Sequence, residues 1–162
     1  MPRICLAFLR FCLSAWVGIG VFFVVVVISL RQSELFTAQV KFDHPRVLFP
    51  LYYSFELMLL GTALLCSVAC LAHPEFTRGR KATLLALVIA AVALAVWDFA
   101  SIYQPLIAMM AKKPLPAEFQ ALHSLSRWIN GAVLVLSFIA AWLSLGAGKS
   151  DEIQRAASES RT

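Results

Sequence analysis

Charge is scarce in this 162-residue chain: Asp, Glu, Lys and Arg together make up 14% of it, against 60% hydrophobic residues. A soluble domain of this length does not need so much apolar side chain to fill one core, so bilayer lipid is the expected solvent. Also missing are a glycine-rich phosphate loop, a nucleophile set beside a base and an intramembrane protease pattern, so the chain is not expected to be an enzyme. The net charge of +5 is spread along the chain without a basic patch of interleaved aromatics. That distribution gives no support to a nucleic-acid partner and suits anionic lipid headgroups. Of three histidines, only His123 falls convincingly on a helix in the outer half of a membrane. Haem held between paired histidines therefore finds no second ligand, and no cofactor is expected.

What is present is four apolar runs: Phe11 to Leu30, Val47 to Ala72, Ala82 to Tyr103 and Ile129 to Ala147. Each reaches the length of about 20 residues that a spanning helix needs. The first run is too long for a signal-peptide apolar region and ends without an Ala-x-Ala-like site, so it reads as a helix. The expected fold is all-α, an integral membrane four-helix bundle with antiparallel up-down-up-down order. Its helices are expected near 11–30, 47–72, 82–103 and 117–147, within one domain covering 1–148. Residues 149–162 are charged, Ser-rich and without an apolar face, which predicts a disordered polar tail.

Positive residues are retained on the cytoplasmic side of a membrane. With the N-terminus inside, the cytoplasmic segments hold Arg3, Arg10, Arg78, Arg80, Lys81, Lys149, Arg155 and Arg161. The opposite side holds Arg31, Lys41, Arg46, Lys112 and Lys113, with Arg127 at the boundary, a bias of eight against six. The expectation is a multi-pass protein of a bacterial inner membrane with both termini cytoplasmic. Between the first two helices, Leu35, Phe36, Val40 and Phe42 suggest a segment lying at the interface and ending at His44-Pro45. His73-Pro74 should stop the second helix, and the basic turn from Thr77 to Lys81 should fold the second and third into a hairpin. Pro105 should close the third run, leaving Leu106 to Ala111 as a short interfacial turn, and Pro116 suits the first turn of the last helix.

Three of the four expected helices carry an ionisable residue: Glu56, Asp98 and Arg127, the last just before the fourth apolar run. Glu56 lies 16 residues from Ala72, Asp98 lies 16 from Ala82, and Asn130 lies 16 from Gly146. At about 1.5 Å per residue all three stand about 24 Å from the cytoplasmic ends of their helices. His123, Arg127 and Asn130 follow i, i+4, i+7 on one face, flanked by Ser126 and Ser137, while Tyr52 and Tyr53 stand one turn above Glu56. The candidate polar cluster is thus Glu56, Asp98, His123, Ser126, Arg127 and Asn130. Three readings are open: Arg127 pairing with Asp98 or Glu56 to lock helices together, a proton or ion site, and a small-molecule site.

Cys66, Cys70 and His73 share a second helical face at the cytoplasmic end, with Cys12 beginning the neighbouring helix at similar depth. Thiolates with an imidazole would suit Cu(I) or Zn(II). Against that, Cys is a common small apolar residue at helix contacts, no close Cys-x-x-Cys spacing occurs, and reduced thiols are expected on this side. The function expected is an integral membrane protein whose polar layer binds or passes a small solute, proton or metal ion. The alternative is a structural or accessory subunit, with the Val-rich first helix and its Gly18 and Gly20 offering a surface to a membrane partner or a second copy.

Two segments carry a resemblance: Leu48-Phe49-Pro50-Leu51-Tyr52-Tyr53, and Phe119-x-x-Leu122-His123-x-x-Ser126-x-x-x-Asn130. With the Trp97 to Pro105 segment they resemble the transmembrane protein 205-like family, small four-helix membrane proteins with a domain of unknown function. The resemblance covers roughly Val47 to Gly146 and implies that His123, Ser126 and Asn130 belong to a shared polar face. Arg127, Trp128 and Glu56 depart from the family pattern, and no catalytic role carries over.

Overall fold

Each apolar run is a helix, and the helices reach beyond the runs at most of their ends. The computed structural model describes residues 2–72, 77–110, 112 and 114–145. Along them run α1 (Pro2–Gln32), α2 (Ala38–Ala69) with a closing 3-10 turn (Cys70–Ala72), and α3 (Arg78–Asp98). A π turn (Phe99–Tyr103), α4 (Gln104–Met110) and α5 (Phe119–Leu145) follow. Four helical stretches are long and apolar enough to cross a bilayer: Ile4–Gln32, Ala38–Ala72, Arg78–Met110 and Phe119–Leu145. No strand occurs among the described residues, and the protein is an all-α four-helix membrane bundle. The tail at 149–162 and the His73-Pro74 stop lie outside the described residues.

Two of the proline expectations need correcting, each for a local reason. The interfacial segment expected to end at His44-Pro45 is mostly helix, because Thr37 caps α2, its Oγ1 accepting from the Val40 N–H. Pro45 cannot donate to the carbonyl of Lys41, and the His44 ring nitrogen Nδ1 donates to that oxygen at 2.9 Å instead. Pro105 likewise does not end the third span. Its ring would meet the Ser101 carbonyl in a regular α-helix, and the backbone widens into the π turn, with Gln104 N–H bonding Phe99 O. Leu106 to Met110 therefore continue as helix. Pro116 stands before α5, whose first turn opens with Phe119 N–H on Pro116 O at 3.1 Å and Leu122 N–H on Glu118 O at 3.0 Å.

Around the bundle α1 packs on α2 and α5, and α3 packs on the same two helices from the opposite corner. Cations fix the helix ends. Arg10 donates through Nε and Nη2 to Ser144 O at 3.0 and 2.7 Å, and Arg80 donates to Leu143 O. Lys81 Nζ donates to Leu71 O at 2.7 Å, and at the far end Arg46 Nη2 donates to Met110 O at 2.7 Å. Each serves carbonyls that a helix C-terminus leaves without an internal partner and sits at the negative end of the helix dipole. Much of the basic charge near the helix ends is thus structural.

The core is a line of buried residues from each helix. On α1 it is Leu6, Leu9, Leu13 and Trp16; on α3 Leu84, Val88, Ala91, Ala95 and Asp98; on α5 Ser126, Ile129, Val133, Ser137, Ala140 and Ser144. These spacings of three and four residues are those of a helix burying one stripe, with Phe11, Phe22, Val25, Trp128 and Trp142 left to lipid. Gly20, expected to face a partner, instead lies inside the bundle, where a Cβ would run into the Leu134 side chain. Of these two glycines, Gly18 alone keeps open space around it. Gly20→Val is expected to destabilise the bundle by about 1–3 kcal/mol through overpacking against α5. Thermal unfolding in detergent measures it, and Gly18→Val is the control expected to change little.

Candidate functional site

Asp98 is the last residue of α3 and lies at the hub of the polar layer, 1% exposed. Its Oδ2 accepts from Tyr53 OH at 2.5 Å, Asn130 Nδ2 at 2.6 Å and Ser126 Oγ at 3.1 Å. Asn130 Nδ2 also donates to Ser126 O at 2.9 Å, and its Oδ1 accepts from Tyr52 OH at 2.9 Å. One network thus ties α2, α3 and α5 at a single height. Three donors on one oxygen are what an ionised carboxylate can take up. The other oxygen, Oδ1, is buried without a partner.

Glu56 is one turn below Tyr52 on α2 and 0% exposed, and neither of its carboxyl oxygens has a hydrogen-bond partner. It is within electrostatic reach of Asp98. Trp16 Nε1 on α1 and Ser137 Oγ on α5 are also buried and unpartnered. Each spanning helix thus contributes at least one such side chain, and α2 also holds the unpartnered His44 Nε2 nearer its start.

An aromatic array covers the layer on the side of the Arg46 end. Tyr52 packs on Phe23 at 4.4 Å and Trp16 at 5.1 Å between ring centroids, and Tyr53 packs on Tyr103 at 4.4 Å and Phe99 at 5.4 Å. Phe49 bridges the two groups through Phe23 and Tyr103. The π turn builds half of this array, since widening the helix by one residue turns both Ile102 and Tyr103 inward after Asp98.

Of the sequence candidates, Asp98, Ser126 and Asn130 meet directly and Glu56 lies beside them. Arg127 is a correction: its side chain is exposed and makes no ion pair with Asp98 or Glu56. The reason is angular. At about 100° per residue, Asn130 lies about 40° from Ser126 and reaches inward, His123 lies about 60° away, and Arg127 about 100°, on the lipid side. The charge sits near the boundary, where a long side chain carries it to the headgroups. His123 stays at the helix entrance, its ring stacked on Phe119 at 6.1 Å, and joins none of the hydrogen bonds of the Asp98 network. The ion-pair explanation of the cluster is therefore overturned.

Sequence reasoning placed Tyr52 and Tyr53 above Glu56 without giving them a role, and it missed Trp16. A signal existed for the tyrosines: two adjacent phenols one turn from a buried acid, opposite another acid. For Trp16 none did, because an indole in an apolar run reads as core.

Cys12 and Cys70 are buried at the opposite end of the bundle, with Cys5 and Cys66 half-buried nearby. No group of three metal-ligating side chains occurs among the described residues, and His73 lies outside them. No family model, curated protein or solved structure matches the chain.

Proposed function

We propose that this multi-pass membrane protein binds a proton or a small monovalent cation at Glu56, beside the Asp98 carboxylate, and exchanges it from within the bilayer. One observation carries the reading: two buried carboxyls share the interior of the bundle, and among the described residues no cationic side chain pairs with either. Burying an unpaired charge in lipid-like surroundings costs several kcal/mol at least, so such a site needs a positive species of its own. The donors are distributed accordingly. Asp98 accepts three hydrogen bonds, whereas Glu56 accepts none and is the place for an exchangeable proton or cation.

Tyr52, Tyr53, Ser126 and Asn130 all fall in the segments that resemble the transmembrane protein 205-like family, which supports membership and a shared polar face. The role is binding and exchange, not catalysis. The bias of positive residues supports a cytoplasmic Arg10, Arg80 and Lys81 end, in keeping with a bacterial inner membrane.

Infrared spectroscopy of the protein in lipid tests the site. A protonated carboxyl band at neutral pH, absent from Glu56→Gln, is the expected result for a proton. A band that appears only when sodium and potassium are withdrawn indicates the cation. A spectrum without either response, from a protein that keeps a partner chain in mild detergent, fits an accessory subunit and sinks the proposal.

A further inference from the structure

Two contacts fix the register of α1 against α5. Arg10 bonds to Ser144 O, and the space beside Gly20 is taken up by the Leu134 side chain. The two helices run antiparallel and ten residues separate the contacts on each, so the same register carried upward sets Arg31 opposite His123. Electrostatics agree with the count, since His123 lies within reach of both Arg31 and Arg127. Arg31 and His123 each stand 21 residues beyond the Arg10 to Ser144 contact, about 32 Å up, and Arg127 stands about 26 Å up. Against a hydrocarbon layer of about 30 Å, all three meet the headgroups of the leaflet opposite the Arg10 end.

Two features set these cations apart from those that fix the helix ends. Arg10, Arg80, Lys81 and Arg46 are each bonded to a helix carbonyl. Arg31 and Arg127 are exposed and make no hydrogen bond or ion pair among the described residues, and neither Glu34 nor Glu118, the acids nearest them in sequence, pairs with either. The second feature is the seam beneath them. Beyond Gly20 no described residue of α1 is buried, and α5 has none before Ser126. Ile28 and Val24, one and two turns below Arg31, are about half exposed. On α5 the face of Arg127 continues through Gly131 to Leu134, and Gly131 has open space where a side chain would stand. The helices are joined at Gly20 and leave an apolar strip above that contact, with a notch at Gly131.

We infer that Arg31, His123 and Arg127 bind the phosphate of one anionic phospholipid, whose acyl chains lie along the strip past Ile28, Val24 and Gly131. Each part of the site matches a part of that ligand. A guanidinium presents N–H donors in a planar fork that fits two phosphate oxygens, and two forks from different helices can hold one phosphodiester. The His123 ring, stacked on Phe119, adds an N–H donor in either tautomer. The apolar strip gives nothing to a soluble anion and suits hydrocarbon. A headgroup bearing an ammonium would bring like charge to two arginines, so the site selects a net negative headgroup over a zwitterionic one. Such a lipid ties α1 to α5 at the end where their own side chains bury little.

Native mass spectrometry of the full chain in mild detergent, titrated with phosphatidylglycerol or phosphatidylcholine, tests the site. Phosphatidylglycerol is expected to bind about tenfold tighter or more, each arginine contributing a factor of about five. Arg31→Gln combined with Arg127→Gln should bring the two lipids to within about twofold of each other. Arg78→Gln, at an exposed arginine of the other end, should leave the preference unchanged. Gly131→Leu fills the notch without touching a charge and should weaken phosphatidylglycerol several-fold; unchanged binding there overturns the placement of the acyl chains. Equal affinity of the unaltered protein for the two lipids, or a preference that survives the double substitution, overturns the site. So does displacement of the lipid by millimolar inorganic phosphate, which marks a soluble anion as the ligand. Where the double variant does not fold by circular dichroism, Arg31→Gln and Arg127→Gln taken singly decide: each should lower the preference about fivefold, and no change in either overturns the inference.

Discussion

Asp98→Ala is expected to destabilise the bundle by about 2–5 kcal/mol. Hydrogen bonds between membrane helices average about 0.6 kcal/mol, which alone makes three of them worth about 2. A donor stranded in a dry interior costs about 1–3 kcal/mol, which sets the upper figure. The donors do not suffer equally. Asn130 Nδ2 keeps its bond to Ser126 O, whereas the Tyr53 hydroxyl, on a residue 1% exposed, loses the carboxylate it donates to. Tyr53→Phe should therefore recover part of the loss when combined with Asp98→Ala, because it removes that hydroxyl. Denaturation in mixed micelles measures both variants. A loss for Asp98→Ala within about 0.5 kcal/mol, the scatter of an inconsequential surface change, would show that the three donors do not converge on this carboxyl.

Glu56→Leu should do the opposite and stabilise the protein by about 1–3 kcal/mol. The carboxyl occupies a wholly buried position and has no hydrogen-bond partner to lose. An apolar side chain of similar size keeps the packing and removes the desolvation cost of the polar group. The same variant loses the exchangeable site, so stability and function should move in opposite directions, as they do where a strained polar group is kept for its chemistry. Thermal unfolding in lipid nanodiscs is the measurement. A Glu56→Leu protein that unfolds more easily than the original would mean that the carboxyl holds helices together, and the exchange role would lose its main support.

The contrast between these two acids was not legible in the chain. Glu56 and Asp98 look alike as single carboxyls in apolar runs, sixteen residues from corresponding helix ends. Their difference comes from what faces them. Asp98 meets donors from α2 and α5, separated from it by 45, 28 and 32 positions, and Glu56 meets none. Arg127 carries the same lesson in reverse. Depth along a helix is set by counting residues, and counting put it about one turn above the acids; orientation depends on which stripe the neighbouring helices bury, and that turned it to lipid.

Proline shows where local rules stop. Pro45 and Pro105 forbid particular hydrogen bonds, which sequence alone identifies, yet neither ended a helix. A neighbouring imidazole took the orphaned carbonyl at Pro45, and a π turn absorbed the ring of Pro105. In a bilayer an unfolded segment would strand its backbone groups, so a strained helix remains better than a broken one.

The sequence by itself determined the solvent, the number of spans and the depth of the polar layer, because these follow from hydrophobic length and from a fixed rise per residue. Only the tertiary structure decided which polar side chains meet. It gave Asp98 its three donors, left Glu56 bare, sent Arg127 outward and turned Trp16 in. Those outcomes depend on rotation of each helix about its own axis, and the packing of four helices against one another sets that rotation.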